Sequence, residues 1–354
     1  MYASAPVKAN LYILSNHHLT LDEKMGLKTY ILRRTIYMVI LLFFAMTLNF
    51  IIFMAMPADP VSILASTYRL KPEQVEVLIE QFGLRESMWV RYKRYMVNML
   101  TWNFGYSFYT RNSVKDEILE RLPNTLLLLG VSTIFAILIG VIFGVRAASR
   151  RGEISDLMAT ISSLFAYALP TFWIGMVFLM VFGYWLREWT GGKIYFPLAG
   201  TMSRPAPTEP LAKILDLLWH MVLPGITLFL VTLGGYVLLV RSTVLETLTE
   251  DYIVTARAKG LSEKVVLFKH ALRNAMLPLV TNATLSFAFI LQGAILTETV
   301  FSWRGIGTYI YQGITFRDYP VLMATFYISC LAVIIANFVA DLLYGVIDPR
   351  VKYE

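Results

Sequence analysis

Six stretches of the chain carry no Asp, Glu, Lys or Arg: residues 36–56, 122–145, 157–186, 217–240, 274–297 and 319–340. Each is long enough to cross about 30 Å of hydrocarbon at about 1.5 Å rise per residue. Backbone polar groups in lipid must be satisfied internally, so each stretch predicts a membrane helix; a closed barrel would need ten-residue alternating segments, which this pattern lacks. The prediction is therefore an all-α integral membrane protein with six transmembrane helices. An even count puts both termini on one side.

The polar segments between these stretches carry helical patterns of their own. In 57–121, Pro72 stands where a helix can start, Glu73, Val75, Val77, Leu78 and Ile79 follow, and Gly83 closes the run. A second pattern runs Met88, Val90, Tyr92, Tyr95, Met96, Met99. Together they predict a small helical cap, either packed on the span ends or binding a partner. In 241–273, Glu250 and Asp251 favour a helix start, Arg257 and Lys259 its end, and Gly260 a left-handed stop. Ser262 can then cap a second short helix through residue 273, ahead of Pro278. Tyr252, Ile253, Ala256 and Lys259–Gly260 are spaced to share one face, which could enter a groove on a partner.

Composition agrees with the membrane reading. Hydrophobic residues make up 57% of the 354 and charged residues 16%, against about 25% charged in soluble domains. One cysteine, Cys330, excludes an internal disulfide and a thiolate metal cluster, and the four histidines, His17, His18, His220 and His270, are too scattered to suggest a metal site. A net charge of +7 reads as loop bias and lipid-headgroup contact, not nucleic-acid binding. Arg33, Arg34, Arg146, Arg150, Arg151 and Arg241 lie at span ends on the same side. That side is expected to be cytoplasmic, with 57–121 external. The first 35 residues hold Lys8, Lys24, Lys28, Arg33 and Arg34 but no apolar core, so the first span is expected to stay as an anchor.

Signatures of catalysis are absent: there is no phosphate-binding G-x-x-x-x-G-K-[ST], no G-x-S-x-G and no H-E-x-x-H. No catalytic residue and no metal ligand is expected. Asp341, at the end of the last span, is a candidate structural cap or gate. Pro170 interrupts the third window beside Trp173, as a kink or a gate. Asn282, Thr284, Ser286 and Gln292 in the fifth could line a water-filled path or bond neighbouring helices. Gly140 and Gly144 form a small-xxx-small pair, Gly234–Gly235 a close-packing or flexing point, and Cys330 a packed small residue.

The segment from Asp251-Tyr252 through Ala256-Arg257-Ala258-Lys259-Gly260, with His270 to Asn274 and Leu277-Pro278 beyond it, resembles the EAA loop of binding-protein-dependent ABC importer permeases, in the form of the B-type subunit of the oligopeptide/dipeptide family. Gly260 matches the motif glycine and Ala256 its second alanine; Val254 stands at the motif glutamate and Arg273 at a customary proline. Further resemblance lies in Pro57 to Pro60, Gly83 to Tyr92, Phe104 to Ser107 and Arg121 to Thr125. At the other end it lies in Glu298 to Trp303 with Gly305 and Gly307, then Asp318 to Pro320, Asn337, Asp341, Tyr344 and Asp348 to Arg350. Arg304 stands where a proline is commoner. The likeness spans about residues 30–352.

This resemblance implies a type I ABC importer permease fold with an extracytoplasmic helical segment after the first span. It divides the chain into a cytoplasmic segment 1–35, a first helix 36–56, an external segment 57–121, a permease core 122–347 with its coupling loop 241–273, and a cytoplasmic end 348–354. It also implies a second homologous permease, two cytoplasmic ATP-binding subunits and an extracytoplasmic solute-binding protein. ATP and Mg would sit on the ATP-binding subunits, and this chain would bind no cofactor. Asp251, Tyr252, Ile253, Ala256, Arg257, Ala258, Lys259 and Gly260 would couple to them. The implied cargo is peptide, with oligosaccharides or nickel chelates carried by similar importers. The alternative from another class is an ATP-independent channel or secondary carrier, against which stands the lack of an ionisable pair at mid-membrane depth.

Overall fold

The computed structural model describes residues 27–54 and 85–347, with positions 72, 75, 76 and 79 between them. The expected helix from Pro72 to Gly83 falls almost wholly outside the described residues, as do segments 1–26 and 348–354. Among the described residues the structure is helical, with one isolated antiparallel bridge between Tyr106 and Ser113.

Helix α1 is Leu27–Met54 and α2 is Met88–Leu100, the second of the two expected external helices. Helix α3, Val114–Ser149, starts eight residues before its apolar window because Ser113 caps it, accepting from the Asp116 amide at 3.4 Å, and Asp116 and Glu117 oppose the helix dipole in the first turn. At 36 residues it is about 54 Å long, well beyond the bilayer core. Helices α4 (Ile154–Ala168) and α5 (Thr171–Trp189) meet at a 94° bend. The reason is local: Pro170 forces an extended Leu169, ψ 135°, which ends α4. Helix α6, Pro210–Thr247, begins with proline at its first position.

Helix α7 is Asp251–Ala258. The expected second short helix is instead continuous with the fifth apolar window. Glu263–Val265, a π-helical turn Val266–Ala271 and Leu272–Ile290 run on without interruption as α8. Nothing between Ser262 and Pro278 breaks a helix, so it propagates. Ser262 occupies the N-cap position but its side chain makes no capping bond. The fifth window is also not one uninterrupted helix to residue 297: α8 ends at Ile290, Gly293 turns the chain at φ +71°, and α9 spans Ile295–Val300. Helices α10, Ile306–Thr315, and α11, Tyr319–Ile347, complete the chain.

Among the described residues, four helical stretches are long and apolar enough to cross a membrane: Ile31–Met54, Val114–Ser149, Pro210–Thr247 and Tyr319–Leu342. The bent α4–α5 pair makes a fifth if it counts as one span. One core joins α3, α6 and α8 through Ala136, Val145, Tyr236, Val240, Val244, Ala275 and Leu279. Gly140 and Gly144 let α3 and α6 touch along their backbones, since a Cβ at either would fall 2.7 Å from the Cβ of Tyr236 or Val240. A second core gathers α1, α2, α10 and α11 around Phe50, Phe53, Tyr95, Ile306, Tyr309 and Tyr327. Asn49 ties it by donating to the Tyr95 hydroxyl at 2.8 Å and the Met323 carbonyl at 3.1 Å. Asp341 pairs with Arg34 at 2.8 Å, clasping the far ends of α11 and α1.

Candidate coupling site

Helix α7 hangs between the ends of α6 and α8. Glu250 is its N-cap residue in extended backbone, and Gly260 at φ +76° reverses the chain beyond Lys259, a conformation that costs an L side chain about 1 kcal/mol or more. Ile253 is fully buried and Ala256 nearly so, packed on Val266 and Ala271 of α8 with Leu248 beside them. That burial is within the chain. The sequence pattern grouped these two with Tyr252 as a partner-facing surface; the structure turns them inward. The outward face is Asp251, Val254, Thr255 and Ala258, at i, i+3, i+4 and i+7, all exposed, with Tyr252, Arg257 and Lys259 flanking.

Polar contacts fix how α7 lies on α8. Asn274 donates to the Tyr252 hydroxyl at 2.6 Å. Arg257 grips Glu263 with two bonds, 2.8 and 3.2 Å, across the Gly260 turn. The guanidinium holds the Glu263 carboxyl below its ordinary range, and the carboxylate raises Arg257 in return. Beside this pair lies a recess of about 550 Å³ lined by Ser149, Arg151, Leu248, Thr249, Lys264 and Phe268, among others.

A contact that sequence reasoning missed leads from this loop into the membrane helices. Asp156, near the start of α4, takes a bidentate grip from Arg241 of α6, 2.5 Å from Nε and 2.9 Å from the terminal nitrogen, and also accepts from the Gly152 amide at 3.0 Å. Arg241 was marked only by its place at a span end. Its partner lies 85 residues away with no shared periodicity, so no local signal could have paired them.

The candidate path residues are not brought together. Pro170 and Trp173 are exposed at the α4–α5 bend and Asn282 is exposed on α8. Ser286 shares a hydrogen bond with the Tyr236 hydroxyl at 2.9 Å and so joins α8 to α6, whereas Thr284 donates to the Val280 carbonyl of its own helix at 2.8 Å. Gln292 lines a separate recess of about 460 Å³ with Cys330, Thr325 and Ser329. Among the described residues no cluster of His, Cys, Asp or Glu could hold a metal.

The segments of the far signature do meet. Glu298, fully buried, accepts from Thr125 Oγ1 and from the Thr308 amide, each at 3.0 Å. Trp303 donates to the Asn124 carbonyl at 3.2 Å, and Asn124 to the Arg304 carbonyl at 2.7 Å. Gly305 and Gly307 leave room for the Glu298 carboxylate, which a Cβ at either would reach within 2.8 Å. This lock joins the start of α3 to α9 and α10.

Over nearly its whole length the chain is similar to known permeases. Residues 136–353 match the family described as binding-protein-dependent transport system inner membrane component, and 27–129 match the corresponding N-terminal membrane component. The oligopeptide transport system permease protein AppB of Bacillus subtilis is 37% identical over 325 residues, covering 92% of this chain and 99% of that one. The dipeptide transport system permease protein DppB of Escherichia coli is 38% identical over 336 residues, with the same coverage. The glutathione transport system permease protein GsiC of Salmonella paratyphi A is 32% identical over 326 residues, again covering 92% and 99%. A solved structure of the MetNI methionine ABC transporter in an inward-facing conformation superposes with a TM-score of 0.46 and 19% identity, over 65% of this chain and 96% of that one. The chain belongs to the family of binding-protein-dependent transport system inner membrane components.

Proposed function

We propose that this chain is one permease subunit of an ATP-driven importer, forming with a second homologous permease the alternating-access path for di- or oligopeptides delivered by an extracytoplasmic solute-binding protein. The observation that carries this reading is the likeness, over nearly the full length of both chains, to permeases named for oligopeptide and dipeptide transport. The chain contributes no ATPase site; two cytoplasmic ATP-binding subunits hold ATP and Mg. Six spans, with α4–α5 as the third and α8 as the fifth, put the termini and 241–273 in the cytoplasm and 57–121 outside. The 122–347 region is the permease core.

In this reading the exposed face of α7, Asp251, Val254, Thr255 and Ala258, docks on an ATP-binding subunit. The opposite face, Ile253 and Ala256, passes movement to α8, with Tyr252–Asn274 and Arg257–Glu263 keeping the two helices in register. Closure of the ATP-binding subunits displaces α7, and α6 and α8 follow. The Asp156–Arg241 grip draws α4 with α6, so the bend at Pro170 moves and the bundle passes between inward- and outward-facing states. The test is the complete complex reconstituted with its own binding protein. Peptide-loaded binding protein raising ATP turnover severalfold supports the reading. Turnover indifferent to loaded binding protein, or uptake without ATP as in a channel or secondary carrier, rules it out. An oligosaccharide or nickel chelate that replaces peptide in the assay reassigns the cargo alone.

A further inference from the structure

The groove between the end of α1, helix α2 and the start of α11 is given no role by the transport reading. It encloses about 260 Å³ over an apolar floor of Phe50, Phe53, Met54 and Met323. Above that floor α2 places Arg91, Arg94 and Asn98, which follow at i, i+3 and i+7 and so form one stripe. Arg94 is neutralised by Glu86, 2.5 Å away. Arg91 bonds only weakly, to the Met88 sulfur at 3.9 Å, and no carboxylate among the described residues lines the groove. Its polar rim therefore carries a positive charge in excess.

The other side of α2 also suits a membrane surface. Met88, Trp89, Val90, Val97 and Leu100 are exposed, and the Lys93 ammonium lies 5.0 Å over the Trp89 ring. Aromatic and basic residues on an amphipathic helix, level with the ends of two apolar spans, mark the depth at which hydrocarbon gives way to headgroups. A guanidinium is well matched to a phosphate diester, and an apolar floor directly beneath it is matched to an acyl chain.

We propose that this groove is a binding site for an anionic phospholipid. The phosphate is held by Arg91, with Arg94 and Asn98 beside it, and one acyl chain lies along Phe50, Phe53, Met54 and Met323. A free phosphate would satisfy the arginine and leave the floor bare, which is why the lipid is the better occupant. The inference needs only that α1 and α11 span the bilayer; it does not depend on cargo or coupling.

The full chain, purified in detergent and stripped of lipid, is titrated with dioleoylphosphatidylglycerol, dioleoylglycerol and inorganic phosphate, and bound lipid is counted by native mass spectrometry. Phosphatidylglycerol should bind about tenfold more tightly than dioleoylglycerol, with inorganic phosphate failing to displace it. Arg91→Gln should lose about tenfold in that affinity, while Lys93→Gln, on the outward side of α2, should change it less than about twofold. Arg91→Lys, which keeps the charge, should retain most of the binding and shows that loss in Arg91→Gln is not misfolding. Equal loss in Arg91→Gln and Lys93→Gln would reduce the site to diffuse surface charge. Displacement by inorganic phosphate, or equal binding of dioleoylglycerol, would equally overturn the proposal.

Discussion

Replacing Ile253 by alanine separates the forces that hold α7. Ile253 is fully buried against Val266, Ala271 and Leu248. The change removes three carbons, worth about 2.4 kcal/mol of transfer free energy, and the cavity brings the loss to about 2–5 kcal/mol. The Tyr252–Asn274 hydrogen bond contributes about 1 kcal/mol, and the Arg257–Glu263 pair, standing in solvent and screened by it, adds less than the burial of Ile253. Burial of one side chain thus outweighs both polar contacts. Ile253→Ala should release α7 from α8 while Arg257→Ala leaves it docked. Hydrogen exchange of the α7 amides in the full chain reads this directly: opening should rise by roughly 30-fold or more in Ile253→Ala and by less than about fivefold in Arg257→Ala, with the membrane helices unchanged. If Arg257→Ala exposes α7 and Ile253→Ala does not, the loop is held by its ion pair and the inward-facing assignment of Ile253 is wrong.

Gly144→Ala should cost about 1–3 kcal/mol in a detergent unfolding titration, because the new methyl meets Val240 and helices α3 and α6 must part; Gly130→Ala, with open space around it, should gain up to about 1 kcal/mol, and equal effects would refute the α3–α6 contact. Gly260→Val, at φ +76° with nothing nearby to clash, should act through backbone strain alone, costing about 1 kcal/mol or more locally and lowering uptake; wild-type uptake and ATPase stimulation would discard the helix-stop role. Because Glu263 is depressed by Arg257, their contribution is complete above the ordinary glutamate range, near pH 4.3, and is lost as pH falls through the depressed value. Exchange of α7, corrected for its intrinsic rate, should therefore be flat from pH 7 to about 5 and rise only in stronger acid, a rise that Glu263→Gln should abolish.

The apolar windows fall on helices because exclusion of charge from hydrocarbon is a strong constraint, yet they gave neither the helix ends nor the span count, since four helices among the described residues, or five with the bent pair, are long and apolar enough to cross a membrane. Ser113 carries α3 beyond its window, and Gly293 breaks the fifth one. The turn at Gly260 was legible because a left-handed residue leaves a glycine in the sequence. The orientation of α7 was not: in an eight-residue helix, Ile253 and Ala256 mark an apolar side without saying whether it meets this chain or another. Asp156–Arg241 and the enclosure of Glu298 by Thr125 and Thr308 join residues 85 or more apart for the first and 173 for Thr125–Glu298, so they exist only once the helices are packed. The far signature was readable through resemblance, its physical role through the fold alone.

If the outward face of α7 is the surface on which ATP-binding subunits dock, as proposed above, a bulky side chain placed there should obstruct them. Ala258 tests it most directly, since it is exposed on that face and, unlike Ala256, takes no part in packing α7 on α8. The complex carrying Ala258→Trp is purified by a tag on this chain, and the retained ATP-binding subunits and the response of ATP turnover to loaded binding protein are measured together. Membrane levels and pairing with the second permease should be normal, with the ATP-binding subunits lost or their turnover no longer responsive. Full retention with full stimulation would contradict it.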